Sequence, residues 1–375
     1  MPWKIAVAVA AVAFIRFGPT KEQAFMALAN SPIGYYVFRS GLKKKTKPHV
    51  VTEIVETANG IQIIPVAYGS DNYGYILHDK ANDSVVLIDP ADSTTFSTKM
   101  KTMLPPSSKI SAILTTHHHW DHSAGNNTFK TLDPSIDVYG SGIDFPASGI
   151  INHFWHRINK QVKHMETIQI SENINVKAIL VPCHTRGSLI YLLDTEPNGS
   201  ETATATARYA AFTGDALFVG GCGKFFEGNA KDMYNLVQDL QSELPKNTAI
   251  FPGHEYSKTN LKFALDYEPE NEALQKAYEN AVSKAESGIA NIPSLFSAEL
   301  QYNPYLRIKM SKKNGQLWQK VVRRAVSHPS LKGKMETTLN VSNGIFGAAA
   351  NISNERGAET EVLGALRKLK DDYQS

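Results

Sequence analysis

From about residue 50 the chain alternates short apolar runs with polar breaks. "GIQIIPVAYGSDNYGYILHD" and "DSVVLIDP" are rich in β-branched and aliphatic residues and are bounded by Gly, Asn, Asp and Pro. That pattern predicts strands closed by turns. "SKISAILTT", "INVKAILVPCHT", "SLIYLLD", "RYAAFTGD" and "NTAIFPGH" continue it. "AKDMYNLVQDLQSEL", residues 230–244, has helical spacing instead. Strands that alternate with helices predict an α/β domain. After His254 the strand pattern stops, and "KTNLKFALDYEPENEALQKAYENAVSKAESG" and "ETEVLGALRKLKDDYQ" predict helices. The expected organisation is a leader over residues 1–48, an α/β domain over 49–257 and a helical domain over 258–375. Between about 311 and 357 a polar, Gly-, Ser- and Asn-containing stretch predicts no definite element.

Composition is that of an ordinary globular chain, with 42% hydrophobic and 20% charged residues among 375. The formal net charge is only +3, which gives no reason to expect nucleic-acid binding. The charge is uneven, however. Residues 1–48 hold eight Lys/Arg and one acid, a balance of +7, which leaves −4 for the rest of the +3 total. Within the leader, "IAVAVAAVAFI" is too short for a spanning helix of about 20 residues. "SPIGYYVFRSGLKKK" places aromatics before clustered lysines, a pattern suited to an anionic membrane surface. The leader therefore predicts membrane association or mitochondrial targeting; a leader that is cleaved or unstructured would leave a cytoplasmic protein. Two cysteines, Cys183 and Cys222, form no disulfide framework and argue against secretion. Both are read as packing residues.

Four apolar runs each end in residues able to hold a metal. "AILTT" runs into His117, His119, Asp121 and His122, "AILVPC" into His184, "AAFTG" into Asp215, and "AIFPG" into His254. Strands of a sheet bring their ends together, and ligand sites in α/β folds lie beyond such ends. Alternate residues of an extended segment point the same way, so His117 and His119 can share one ion. Asp121 and His122 follow where the chain turns and can face another, while His118 and Trp120 point elsewhere. Counting donors gives His117, His119 and His184 to one ion, Asp121, His122 and His254 to a second, and Asp215 as a bridge. Imidazole and carboxylate suit Zn²⁺, Fe or Mn. Two such ions about 3.5–4 Å apart can make a shared water nucleophilic at neutral pH.

"THHHWDH" resembles the T-H-x-H-x-D-H signature of the metallo-β-lactamase superfamily. "PCHTRGS", "FTGDALFVGGCGKFFEGNA" and "FPGHEY" are closer still to glyoxalase II, the hydroxyacylglutathione hydrolases. The likeness covers about residues 60–307 and resumes in the last helix. The leader and the tail "LRKLKDDYQS" further resemble the membrane-associated branch named after the paroxysmal nonkinesigenic dyskinesia protein. The resemblance implies a four-layer αββα core with a helical C-terminal domain. It implies hydrolysis of a glutathione thioester, such as S-D-lactoylglutathione, to glutathione and D-lactate, which serves methylglyoxal detoxification. It also implies two divalent ions, zinc foremost, in the seven-donor site, with Asp121 orienting the attacking hydroxide.

Lys224, Tyr256, Arg367 and Lys370 stand at positions that contact glutathione in that family. Arg367 and Lys370 are three apart on a predicted helix, a spacing suited to clamping a carboxylate. Val362, Leu366, Leu369 and Tyr373 form the stripe expected to pack inward. Phe226 stands where glyoxalase II commonly has tyrosine, so one hydrogen bond, roughly 0.5–1.5 kcal/mol, is expected to be absent. Two other readings share the fold: a mononuclear iron dioxygenase acting on glutathione persulfide, and a membrane-associated scaffold with little catalysis.

Overall fold

The computed structural model describes residues 50–147, 152, 156–195, 207–308, 315–339 and 355–373. The leader expected over residues 1–48 lies outside them. The chain divides into two compact units. The first runs through Leu180 and adds Gly187–Gly214 and Gly253–Glu255; the second takes Val181–Arg186, Asp215–Pro252 and the chain from Tyr256 onward.

The first unit contains a seven-stranded sheet in sequence order: β1 (Val55–Glu56), β2 (Ile61–Tyr68), β3 (Asn72–Asp79), β4 (Ser84–Ile88), β5 (Lys109–Leu114), β6 (Asp137–Ser141) and β7 (Lys160–Val162). β1 to β4 pair antiparallel, and β4 to β7 pair parallel. β3 and β4 are buried along their whole length, which explains why both faces of these strands read apolar. One face packs Ile64, Val66, Ile76, Leu87, Ile113 and Val138 against Phe96 and Phe129, from the helices Ser93–Met103 and Asn126–Leu132. A second sheet segment runs β8 (Glu166–Gln169), β9 (Asn175–Leu180), β10 (Leu189–Asp194) and β11 (Tyr209–Gly214), all antiparallel. The rings of Tyr75 in β3 and Phe212 in β11 meet at 5.1 Å, so the two sheets stack face to face.

In the second unit β12 (Thr248–Pro252) pairs antiparallel with β13 (Ser294–Leu295), and the rest is helical. The helix Ala230–Glu243 begins at a capping box made by Asn229 and Asp232. The helices Ser257–Leu265 and Glu272–Glu286 follow as expected. The final helix, Glu355–Asp371, buries Val362 and Leu366 together with Ala358, Leu363 and Ala365. Leu369 and Tyr373 are only half-buried, so the inward face is wider and lies earlier than the expected stripe.

The stretch left without a definite element holds two helices, Gln316–Ser327 and Lys332–Leu339. In the first, Leu317, Trp318, Val321, Val322 and Ala325 face inward at helical spacing. Five charged or amide side chains share that helix, and the polar composition hid the stripe. Among the described residues, no helix is long and apolar enough to cross a membrane.

Candidate metal centre

Each strand expected to deliver donors is present, and the donors follow its end. In the first unit β5 ends at Leu114, and residues 115–119 continue without regular structure into a single helical turn, Trp120–Ser123. His117 Nε2 and His119 Nδ1 lie 3.0 Å apart. The turn carries Asp121 and His122 on the same stretch, while Trp120 packs against the apolar core. His118 is half-buried, and its backbone N–H donates to Asp144 at 3.1 Å.

His122 and His254 bring their Nε2 atoms to 3.3 Å. Asp121 Oδ2 lies 3.6 Å from His254 Nε2 and 3.9 Å from His122 Nε2. Donors about 2.0–2.2 Å from a tetrahedral zinc stand about 3.3–3.6 Å from one another, so this triangle is close to the size of a zinc site. Protonation supports the same fit. His122 Nδ1 faces Asp89 Oδ2 at 2.9 Å, and His254 Nδ1 faces Asp71 Oδ1 at 2.9 Å. A carboxylate only accepts, so each Nδ1 carries a proton, and in the neutral ring each Nε2 then presents a lone pair. A cation placed between those two lone pairs would be bound by both. Asp121, His122 and His254 therefore form a group able to hold a divalent ion.

Asp89 is a residue that the sequence reading passed over. It follows β4 directly, with φ +49, in the left-handed region that Asp tolerates better than most side chains. Its carboxylate accepts from Thr116 N at 2.8 Å and from Thr116 Oγ1 at 2.6 Å, besides His122. The signal was available, since "VVLID" is another apolar run ending in an acid. Tyr68, Asp71 and Asn72 were missed as well. Tyr68 OH donates to the Asp121 carbonyl at 2.9 Å, and the Asn72 amide donates to Asp121 Oδ2 at 3.1 Å.

The second unit carries the remaining expected residues. His184 Nε2 lies 3.4 Å from Asp215 Oδ2. His184 Nδ1–H donates to the Lys224 carbonyl at 2.9 Å, which leaves Nε2, the atom beside Asp215, as the one to face an ion. The loop that carries Lys224 closes tightly: Gly223 N donates to the Asp215 carbonyl at 3.0 Å, and a Cβ on Gly223 would sit 2.0 Å from that oxygen. Only glycine fits there. The Phe226 ring stands edge-on to the His184 ring at 5.2 Å, with Lys224 Nζ 5.6 Å from its centroid. Tyr256 is 37% exposed and meets the Phe218 ring edge-on at 5.3 Å.

The cationic pair is more constrained than its spacing indicates. Arg367 donates to the Cys222 carbonyl at 3.0 Å and through Nε and Nη2 to Asp371 Oδ1, at 3.0 and 2.6 Å. Lys370 Nζ donates to the Thr259 carbonyl at 3.2 Å and lies near the rings of Phe263 and Tyr373. Burial, and then the Arg367 charge, bring the Lys370 amine down to about 8. Cys183 and Cys222 are both buried, and burial pushes the Cys222 thiol up to about 12 and the Cys183 thiol up as well. Neither is poised as a nucleophile.

Comparison with known proteins adds two family matches. Residues 71–194 match the metallo-beta-lactamase superfamily, and residues 255–373 match the model described as hydroxyacylglutathione hydrolase C-terminus. The hydroxyacylglutathione hydrolase of Dictyostelium discoideum is 34% identical over 249 residues, covering 66% of this chain and 86% of that protein. The cytoplasmic hydroxyacylglutathione hydrolase of Arabidopsis thaliana is 36% identical over 248 residues, covering 66% and 88%. A hydroxyacylglutathione hydrolase-like protein of Gallus gallus is 36% identical over 238 residues, covering 64% and 77%.

Proposed function

This chain belongs to the hydroxyacylglutathione hydrolase family of the metallo-beta-lactamase superfamily, and from that premise we propose that it hydrolyses glutathione thioesters, S-D-lactoylglutathione among them. The observation that carries the reading is the match of residues 255–373 to the hydroxyacylglutathione hydrolase C-terminus, in a chain that keeps all seven expected donors.

His117, His119 and His184 would hold one divalent ion and Asp121, His122 and His254 a second, with Asp215 between them; zinc is the first choice for both. Such ions supply a water that ionises near neutral pH and an electrophile for the thioester carbonyl. The residues of the chain do the rest. Asp121 orients the attacking water. Lys224, Tyr256, Arg367 and Lys370 hold the glutathione part by charge and hydrogen bonding. Phe226 offers only an apolar face where a hydroxyl would add a further bond. A thiolate leaves readily, so no strong general acid is required at the sulfur.

The reaction is tested with purified protein by following thiol release from S-D-lactoylglutathione, beside oxygen uptake with glutathione persulfide. Thiol release without oxygen uptake supports the thioesterase. Oxygen uptake with one iron per chain would replace it with the dioxygenase reading. Full metal occupancy with no turnover of either compound would favour a scaffold. Residues 1–48 would carry the protein to a membrane or a mitochondrion, which fractionation of cells expressing chains with and without them would test.

A further inference from the structure

We propose that Asp71 and Asn72 are positioning residues for the second ion, and that one hairpin end sets the affinity of that ion apart from the first. The inference rests on the two-ion reading above.

The hairpin joins β2 to β3. Its turn, Gly69-Ser70-Asp71, uses Gly69 at φ +63 and delivers Asp71 and Asn72 side by side. The backbone of this end clasps residues 253–255. Tyr73 N donates to the Gly253 carbonyl at 2.8 Å, Glu255 N donates to the Asp71 carbonyl at 2.8 Å, and Asn72 pairs with His254 as an antiparallel bridge. Tyr73 OH closes the clasp on Glu255 Oε2 at 2.6 Å. His254 is thus held by its backbone to the same two residues whose side chains serve the donor triangle.

Those side chains act on different donors. Asp71 Oδ1 accepts the His254 Nδ1 proton, while its Oδ2 is occupied by Ser70 Oγ at 2.9 Å. The carboxylate fixes the tautomer, fixes the ring plane and makes Nε2 more basic. The Asn72 amide is buried, donates to Asp121 Oδ2 at 3.1 Å, and stands 3.5 Å from His254 Nε2. It neutralises part of the carboxylate charge and sets its rotation. The bonds of Asp71 and Asn72 run to His254 and Asp121, both donors to the second ion, so loss of either side chain should act on that ion selectively.

The test is metal content at graded chelator concentrations for wild type, Asp71→Ala, Asp71→Asn, Asn72→Ala and Asn72→Gln, with the visible spectrum of the cobalt-loaded proteins. Wild type should hold two ions. The alanine variants should hold the first ion unchanged and the second about 10–100-fold more weakly. Their cobalt spectra should change, and melting of the metal-stripped proteins should not. Asp71→Asn keeps an acceptor without its charge and should fall between wild type and alanine; it and Asn72→Ala carry the test where Asp71→Ala fails to fold. Two ions as tight as in wild type, or both weakened alike with lower melting of the stripped protein, would overturn the positioning role. A wild type that takes up fewer than two ions would overturn the two-ion reading together with it.

Discussion

His122 and His254 face one another across 3.3 Å, Nε2 to Nε2, each with its Nδ1 proton given to an aspartate. With both rings neutral, neither nitrogen donates to the other, and a cation placed between them would be bound by both. The two aspartates hold both lone pairs toward one point, and Asp121 Oδ2 completes the triangle.

Asp89 supports one half of that arrangement and a backbone amide at once. Asp89→Ala would take the carboxylate acceptor from Thr116 N–H and His122 Nδ1–H, both buried, and leave Thr116 OH only its contact with His117. An orphaned buried group costs about 1–3 kcal/mol, so the metal-stripped variant should lose roughly 2–5 kcal/mol of unfolding free energy. Urea unfolding of the stripped proteins measures this, and an unchanged midpoint would show that the Asp89 network contributes nothing to stability.

Phe226 allows a gain-of-affinity experiment. Its ring stands against His184 and close to Lys224, where the proposed reading has a para hydroxyl meet the substrate. Phe226→Tyr should lower KM for S-D-lactoylglutathione by about 2- to 12-fold, the equivalent of one hydrogen bond, with kcat little changed. A KM that stays the same or rises would remove residue 226 from the glutathione contacts.

Much of the metal site is legible in the sequence because strand ends and donor residues are both local signals. The runs before His117, His184, Asp215 and His254 all form strands. What supports the donors was not legible. Asp71 and Asn72 sit in "GSDN", a composition that any surface turn would share, and only tertiary structure carries them to His254. The helix Gln316–Ser327 was hidden because basic and amide residues alternate with its apolar stripe. From its helical spacing Arg367 reads as half of a carboxylate clamp with Lys370. Its bonds to Cys222 and Asp371 join residues distant in sequence or part of the same polar run.

Lys370 should give substrate binding a pH dependence. The amine, facing the Thr259 carbonyl and the Phe263 ring with Arg367 and Asp371 on its own helix, is brought down to about 8. It is charged below that value and attracts a carboxylate; above it the attraction fades. KM should therefore rise between about pH 7 and about pH 9, and Lys370→Arg should flatten the rise by keeping its charge. For stability the sign is opposite. Between about 8 and the ordinary 10.5 the folded chain binds fewer protons at this site than the unfolded one, so the contribution of this site to stability increases with pH. A KM profile identical in wild type and Lys370→Met would contradict the assignment.

The most direct measurement is hydrolysis of S-D-lactoylglutathione by the full chain, followed as free thiol, before metal removal, after exhaustive chelation, and after zinc is restored. Hydrolysis should be present at the start, fall to background in the stripped protein, and return with the metal. Hydrolysis that survives complete removal of the ions, or none from a fully loaded protein, would contradict the account.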